Sequence, residues 1–530
     1  MSLPENGLFM IVAMIPIVFL LGTVLKLGWS VAKAAPYGLL LALLIALGIF
    51  KSSPQALVFE AGKGVWNAAT ILLVIWPAVF SYELTCESDA FSAIRQGIQS
   101  LTRHKLLQIL IFGWVFPSFL QGITGFGVAV AVGAPLLHSI GVSPFYSIII
   151  VLLCHSWGAT YGTLALAWDA LVQQAGLAGE QLMLAAVLAA LMIWIFNVVG
   201  VLYSCWVYGK GKALREIWPA VLILSLIMGG GQLLLAPVNS TICFFIPAAL
   251  ALGAVIFISR IPRFHRAWAM EDSKIMEMHE EVSAERAPMS FHQAFLPYYL
   301  LTALTIVCLL IPPINRVLSM WKLGLSFPET VTGYGYVTAA EGLFSPLKPL
   351  TYAGTFLVLS SIISIVYYQK HGFLKTGAVQ NVWSRTVKKC IPSTIAITSL
   401  IVMAKFMSSS GQIYVLSKGV IQLMGRYYVI LAPIFGMVGA FITSSNMSSN
   451  ILLGNFQVTA AELIHVEPAI TCALQTTGGV LGDSFAPGSI IMGVSTTGYQ
   501  GKDGDIIKVI LPMALLLGIL FGLFAFLFLT

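Results

Sequence analysis

Two polar segments interrupt apolar stretches of this chain, one in each half of the sequence. Their candidate binding residues are Gln121, Gly122, Thr124, Gly125 and Gly127 in the first, and Ser444, Ser445, Asn446, Ser449 and Asn450 in the second. A break in a membrane helix frees backbone N–H and C=O groups, which then need partners or a cavity. A freed helix N-terminus carries partial positive charge and suits a carboxylate. The two segments therefore predict a site for a small anion.

A second pair of interruptions follows, each in an apolar run that begins near a proline, Pro144 or Pro468. The first lies at His155–Thr160, and the second contains Thr476, Thr477 and Gly478. Corresponding interruptions in two halves indicate the binding site of a transporter. For any single motif the alternative is close helix packing, which small residues also permit. The pairing of the clusters favours a site.

Ionisable residues inside the apolar runs are a sharper signal, because such residues are costly in a membrane and usually functional. We predict that Lys405 lies near Asp483 and supplies positive charge to the substrate. His155, Asp483 and Asp169 are the candidates for carrying a coupled proton. The alternatives are a Lys405 that extends to the interface, a packed neutral His155, and surface positions for Asp169 and Glu83.

The composition indicates which elements must position these residues. Of 530 residues, 58% are hydrophobic and 9% are charged, with a mean hydropathy of +0.91. Ordinary soluble domains are about 25% charged, so lipid must cover this chain. We predict an all-α polytopic membrane protein of about 12–14 transmembrane helices, with two pseudo-repeated halves and discontinuous helices.

Charge distribution predicts the orientation and the division of the chain. The net charge of +7 resides in short basic loops between apolar runs, which places the N-terminus outside and argues against a nucleic-acid surface. One long charged stretch near the middle divides the sequence. The predicted parts are an N-terminal transmembrane half (1–258), a cytoplasmic linker (259–290) and a C-terminal transmembrane half (291–530). The seven cysteines show no metal-ligand spacing, so we expect no metal site and no cofactor.

The polar segments resemble motifs of the lactate permease family. Phe119–Gly127 is similar to the family's Phe-Leu-Glu-Gly-Ala-Ala-Gly-Phe-Gly, and Ser444–Asn450 to Gly-Ser-Asp-Thr-Ser-Ser-Asn. Thr476–Gly482 is similar to Thr-Thr-Gly-Gly-Val-Thr-Gly, and Asp483–Ser489 to Lys-Met-Ile-Ser-Pro-Gln-Ser. The resemblance covers nearly the whole chain. It implies a proton-coupled symporter of small 2-hydroxymonocarboxylates, such as lactate and glycolate, in a bacterial plasma membrane.

Four positions depart from the family's pattern. Gln121 replaces a glutamate, Asn446 an aspartate and Asp483 a lysine, while Lys405 stands where an apolar or aromatic residue is expected. Amides cannot carry a titrating proton, so coupling through these positions would differ in this chain. The positive charge near the substrate would be kept, but Lys405 would supply it instead of a lysine at the position of Asp483. Another small anion, such as a sulfonate or a different carboxylate, and coupling to Na⁺ are the alternatives.

Other classes of function fit less well. A passive anion channel would need a continuous pore lining instead of paired discontinuous helices. The sequence holds no HExxH or GxSxG motif, so we predict that it is not an enzyme. It also lacks a GxxxxGK[ST] motif, which argues against ATP-driven transport by this chain alone. The expected partners are a small organic anion, H⁺ or Na⁺, and the lipid bilayer.

Overall fold

The structure is a computed structural model that describes residues 3–4, 6–27, 29–124, 127–270, 272–277, 288–499 and 503–530. Helices dominate the first half of the described chain. They are α1 (Gly7–Leu27), α2 (Val31–Gly48), α3 (Pro54–Glu87), α4 (Ala90–Gln99), α5 (Lys105–Leu110), α6 (Phe116–Ile123), α7 (Val128–Ser139), α8 (Pro144–His155), α9 (Gly162–Ala175), α10 (Gly179–Ser225), α11 (Gly231–Leu235), α12 (Ser240–Cys243), α13 (Phe245–Ile258) and α14 (Pro262–His265).

The second half adds eleven α-helices and four short strands. The helices are α15 (Phe291–Ala294), α16 (Leu296–Thr305), α17 (Pro312–Leu318), α18 (Ala353–Lys370), α19 (Ala378–Ser409), α20 (Gln412–Met424), α21 (Tyr428–Thr443), α22 (Asn446–Leu463), α23 (Pro468–Asp483), α24 (Pro487–Thr497) and α25 (Asp503–Phe528). Single π-helical turns join α5 to α6, join α10 to α11, and follow α16.

Many of these helices are long and apolar enough to cross a membrane. The described residues contain nine such stretches, or up to eleven if each of two bent helix pairs forms one span. One stretch, Gly179–Leu235, has 57 residues and a non-helical break at Gly209–Lys210, which gives it the length of two crossings. The predicted all-α polytopic membrane fold is confirmed.

The order of breaks confirms the two pseudo-repeated halves. In each half a helix ends at the polar segment and another begins directly after it: α6 is followed by α7, and α21 by α22. Each half then continues with a helix that starts at a proline, α8 or α23. α8 leads through a break into α9, with a bend of 51°, and α23 leads into α24.

The second interruption in the C-terminal half lies later than we predicted. Thr476, Thr477 and Gly478 are helical, and α23 ends only at Asp483. A Cβ atom added to Gly478 would collide with the carbonyl oxygen of Pro433 in α21, and one on Gly482 with that of Met437. The glycines of α23 therefore allow close helix packing, the alternative that the sequence left open.

Helices α3 and α19 form an antiparallel pair that runs the length of both. Arg385 Nε lies 2.7 Å from Glu83 Oε2 at one end. Trp76 Nε1 donates to Thr394 Oγ1 at 3.1 Å in the middle, and Gly64 packs against Val402 further along. Glu83 is 3% exposed and also pairs with Lys389, and its expected position at the membrane surface stays a prediction.

A small β-structure between α17 and α18 was not anticipated from the sequence. Strands β1 (Leu323–Phe327) and β4 (Glu341–Leu347) pair antiparallel, and so do β2 (Thr330–Val331) and β3 (Val337–Thr338). The outer strands lie against α3, where Trp66 Nε1 donates to the carbonyl oxygen of Ser345 at 3.0 Å. This β-hairpin therefore covers one end of the helix bundle.

The described part of segment 259–290 packs against the first half of the chain. The backbone N–H of Lys105 donates to the carbonyl oxygen of Trp268 at 2.8 Å, and that of Ser143 to Ile275 at 2.8 Å. Arg266 forms an ion pair with Glu216 at 2.7 Å. Residues 271 and 278–287 lie outside the described residues, and the division of the chain at 259–290 stays a prediction.

The packing role of Gly478 can be tested by a single added methyl group. Gly478→Ala should lower the free energy of unfolding by about 1–3 kcal/mol, because the methyl has no space beside Pro433. Thermal unfolding in detergent measures this. Gly253→Ala is the control, since a Cβ there meets nothing within 4 Å. Normal stability of Gly478→Ala with loss of anion binding would instead place this residue in the site.

Candidate functional site

A cavity of about 580 Å³, here called the central cavity, lies where the broken helices of the two halves meet. Its volume falls in the usual range for small-molecule sites, roughly 300–1,000 Å³. Seven residues that the sequence singled out line it: Gln121, Gly127, His155, Ser444, Ser445, Asn446 and Asp483. The structure thus brings both polar segments to one site, as the paired motifs predicted.

Helix N-termini converge on the central cavity. Gly127 precedes α7, Ser445 caps α22, and Gly488 lies in the first turn of α24. All three residues line the cavity. Free N–H groups and aligned peptide dipoles at helix N-termini favour negative charge. Their convergence creates a surrounding suited to a carboxylate.

Ser444 fixes the break between α21 and α22. Its backbone is left-handed, with φ 52° and ψ 36°, a conformation uncommon for a residue other than glycine. Its hydroxyl oxygen accepts a hydrogen bond from the backbone N–H of Gly488 at 3.0 Å. A Cβ on Gly488 would lie 2.8 Å from that of Ser444, so glycine is needed for this approach. The contact holds the N-termini of α22 and α24 together.

Lys389 supplies a cation to the central cavity, and the sequence analysis did not find it. The charge distribution predicts that Lys389 belongs to one of the short basic cytoplasmic loops, whereas it lies inside α19 and lines the cavity. Its Nζ is 2.5 Å from Glu83 Oε1, and its side chain is still 55% exposed. The available signal was its position one helical turn after Arg385, at the start of an apolar run. Lys389 can therefore contact an anion while remaining paired.

A buried hydrogen-bond network lies behind the cavity wall. Asn446 Nδ2 donates to Thr160 Oγ1 at 2.9 Å, and Asn450 Nδ2 donates to Thr476 Oγ1 at 2.9 Å. Ser449 Oγ donates to the carbonyl oxygen of Gly436 at 2.8 Å. These bonds attach α22 to α21, α23 and the break before α9. Ser449, Asn450 and Thr476 thus position the site without lining it.

Several acceptor atoms at or near the site have no hydrogen-bond partner among the described residues. They include Gln121 Oε1, Asn446 Oδ1 and Thr477 Oγ1, all buried. A buried acceptor without a partner is costly, so a bound ligand or water is expected to supply one. His155 differs, because its Nδ1 lies 2.8 Å from the carbonyl oxygen of Val151 and must carry the proton of the neutral ring.

Two further predicted residues, Gly122 and Thr124, do not line the central cavity. Gly122 packs against Phe244 and Phe245. The Thr124 hydroxyl donates to the carbonyl oxygen of Leu120 in its own helix at 2.9 Å. Gly125 lies outside the described residues.

The expected proximity of Lys405 to Asp483 is wrong. Lys405 and Asp169 line a different cavity. Lys405 lies sixteen residues after Lys389 on α19, a rise of about 24 Å.

Many apolar helices, broken around one polar cavity, give this chain the architecture of a membrane transport protein. The chain belongs to the L-lactate permease family, whose model matches residues 9–530.

Permeases that align with this chain over nearly their whole length support this assignment. An L-lactate permease of Bacillus subtilis is 27% identical over 97% of this chain and 95% of its own. An L-lactate permease of Salmonella typhimurium is 25% identical over 94% and 92%. The glycolate permease GlcA of Escherichia coli is 26% identical over 99% and 96%. The YdaH transporter of Alcanivorax borkumensis aligns with a TM-score of 0.43 at 14% identity, over 87% of this chain and 86% of its own.

The role of Lys389 can be tested by comparison with the adjacent Lys388. Lys389→Met should weaken anion binding about ten- to a hundredfold, the effect of losing one charged hydrogen bond of roughly 1.5–3 kcal/mol. Glu83 keeps its ion pair with Arg385, so folding should persist. Lys388→Met is the control, since Lys388 is exposed and does not line the cavity. Equal binding by both variants would remove Lys389 from the site.

Proposed function

We propose that this protein is a secondary active transporter of small 2-hydroxymonocarboxylates, with lactate and glycolate as its substrates. The protein resides in a bacterial plasma membrane, with its N-terminus outside. Relatives named L-lactate permease and glycolate permease support the class of substrate. The observation that carries the proposal is the convergence of three helix N-termini and Lys389 on one cavity.

The substrate carboxylate binds to the helix N-termini of α7, α22 and α24, with Lys389 as its counter-ion. Backbone N–H groups hold an anion without a permanent charge, so the anion can leave again. Lys389 is shared with Glu83, which limits how strongly it holds the substrate. A transporter needs this moderate affinity, because the substrate must be released on the other side.

The 2-hydroxyl group of the substrate binds to Gln121. Gln121 lines the cavity, and its Oε1 atom has no partner among the described residues. A site built to hydrogen-bond a hydroxyl rejects an analogue without it, because its own polar atom would then remain unpaired. Propionate, which lacks the hydroxyl, should therefore bind more weakly than lactate.

Proton coupling, where it occurs, depends on Asp483. Among the described residues, Asp483 is the only carboxylate that lines the central cavity. Gln121 and Asn446 are amides and cannot titrate. Asp483 ends α23, and the C-terminal end of a helix favours positive charge. The alternative is Na⁺ bound by the hydroxyl and carbonyl oxygens around the breaks.

Uptake of radiolabelled L-lactate into proteoliposomes tests the function directly. We expect accumulation that an imposed pH gradient drives and that excess glycolate, but not propionate, abolishes. Accumulation with a Na⁺ gradient alone would identify the other coupling ion. Equilibration without accumulation under either gradient would indicate a passive channel. No L-lactate flux from folded protein would refute the proposed substrate.

The coupling role of Asp483 can be separated from binding. Asp483→Asn should abolish uptake driven by a pH gradient but retain exchange of external for internal lactate, because exchange needs no net proton transfer. Counterflow in lactate-loaded proteoliposomes measures the second activity. Gradient-driven accumulation by Asp483→Asn would show that the proton is carried elsewhere.

A further inference from the structure

A second cavity of about 820 Å³, here called the vestibule, lies on the side of the bundle covered by the β-hairpin. Its walls include Thr70 of α3, Asp169 of α9, Lys405 of α19 and Asn455 of α22. Strand β4 closes one side, where Phe344 lines the vestibule. The central cavity and the vestibule have no lining residue in common.

The same four helices border both cavities, at different heights. On α3, Val79 lines the central cavity and Thr70 the vestibule; on α22 the corresponding residues are Met447 and Asn455. At a rise of 1.5 Å per residue, these pairs lie about 12–14 Å apart along their helices. On α19, Ser393 and Lys405 are separated by about 18 Å. The two cavities are therefore stacked along one direction.

Lys405 lacks an ion pair within the described part of the chain. The neighbouring cation, Lys63, contacts Glu60 at 3.0 Å and Glu341 at 3.5 Å. Lys405 instead has its Nζ 5.4 Å from the ring centroid of Phe344. A cation–π contact offsets only part of the cost of withdrawing an ammonium from water. Glu60 and Glu341 are near enough to interact with the charge of Lys405, but neither forms an ion pair with it. A small anion in the vestibule would give Lys405 a direct ion pair.

The other charges of the vestibule leave room for an anion. Its lining also contains Lys348, Asp169 and Glu341. Glu341 lies 3.5 Å from Lys63, which also pairs with Glu60 at 3.0 Å. The lining thus holds two lysines and two carboxylates and is close to neutral. Lys405 is a lining cation without an ion pair among the described residues, and it can therefore contact a single negative charge in the vestibule.

We propose that the vestibule is a second binding site for the transported monocarboxylate, with Lys405 as its counter-ion. It is separate from the central cavity and lies further along the helices that border both cavities. The substrate occupies it before or after the central cavity, as the stacking of the two along α3, α19 and α22 requires. This inference depends on the proposed substrate class. It gives Lys405 a role in binding that is separate from Asp483.

The test is the number of L-lactate molecules bound by purified full-length protein, measured by isothermal titration calorimetry. Wild type should bind two, and Lys405→Met one, with the affinity of the remaining site unchanged. Lys405→Arg keeps the charge and should bind two. Lys322→Met is the matched control at an exposed lysine outside both cavities and should also bind two. If Lys405→Met does not fold, Lys405→Gln replaces it.

The outcomes separate this inference from the proposed function. One lactate bound by wild type and unchanged in Lys405→Met would overturn the vestibule site and leave the central site intact. One lactate that is lost in Lys405→Met but kept in Lys389→Met would support the vestibule and overturn the central site. No binding of L-lactate by folded wild type would overturn the proposed substrate, and the vestibule proposal with it.

Discussion

The structure depends on one constraint, that backbone N–H and C=O groups in an apolar surrounding must have partners. Continuous helices meet it along most of the described apolar stretches, and at the breaks after α6, α8, α21 and α23 it must be met in another way. The chain collects these breaks around one cavity, where the free groups can contact water or substrate. Elsewhere, glycines such as Gly478 and Gly482 let helices approach until backbone touches backbone. The breaks are thus gathered at a cavity, and the unbroken helices pack closely around it.

The broken ends hold their positions because side chains from both halves tie them together. Asn446 connects the start of α22 to Thr160, in the break before α9, and to Thr476 on α23. The hydrogen bond from the Gly488 N–H to the Ser444 hydroxyl joins α24 to the break between α21 and α22. The bond from Asn446 to Thr160 joins segments 286 residues apart in sequence, so neither half can complete the site alone.

The sequence predicted the broken helices well, because their cause is local. Gly, Ser and amide residues in an apolar run identified the breaks at both polar segments, which line the central cavity as expected. The same residue types at Thr476–Gly478 mark close helix packing instead of a break. The assignment of charges failed where long-range packing decides it. Lys405 and Lys389 lie on one helix, and only the antiparallel pairing of α19 with α3 determines which of them faces the central cavity. The β-hairpin escaped prediction because its strands are short and packed on a helix bundle.

The α3–α19 helix pair borders both the central cavity and the vestibule. Near one end Lys389 pairs with Glu83, and towards the other Lys405 lies near the Glu60–Lys63 pair. Under the proposed function, a carboxylate that binds to Lys389 shares the lysine with Glu83, and Glu83 remains its partner when the substrate leaves. The nearby acidic residues of α3 limit how strongly each lysine holds an anion, which favours release of the substrate.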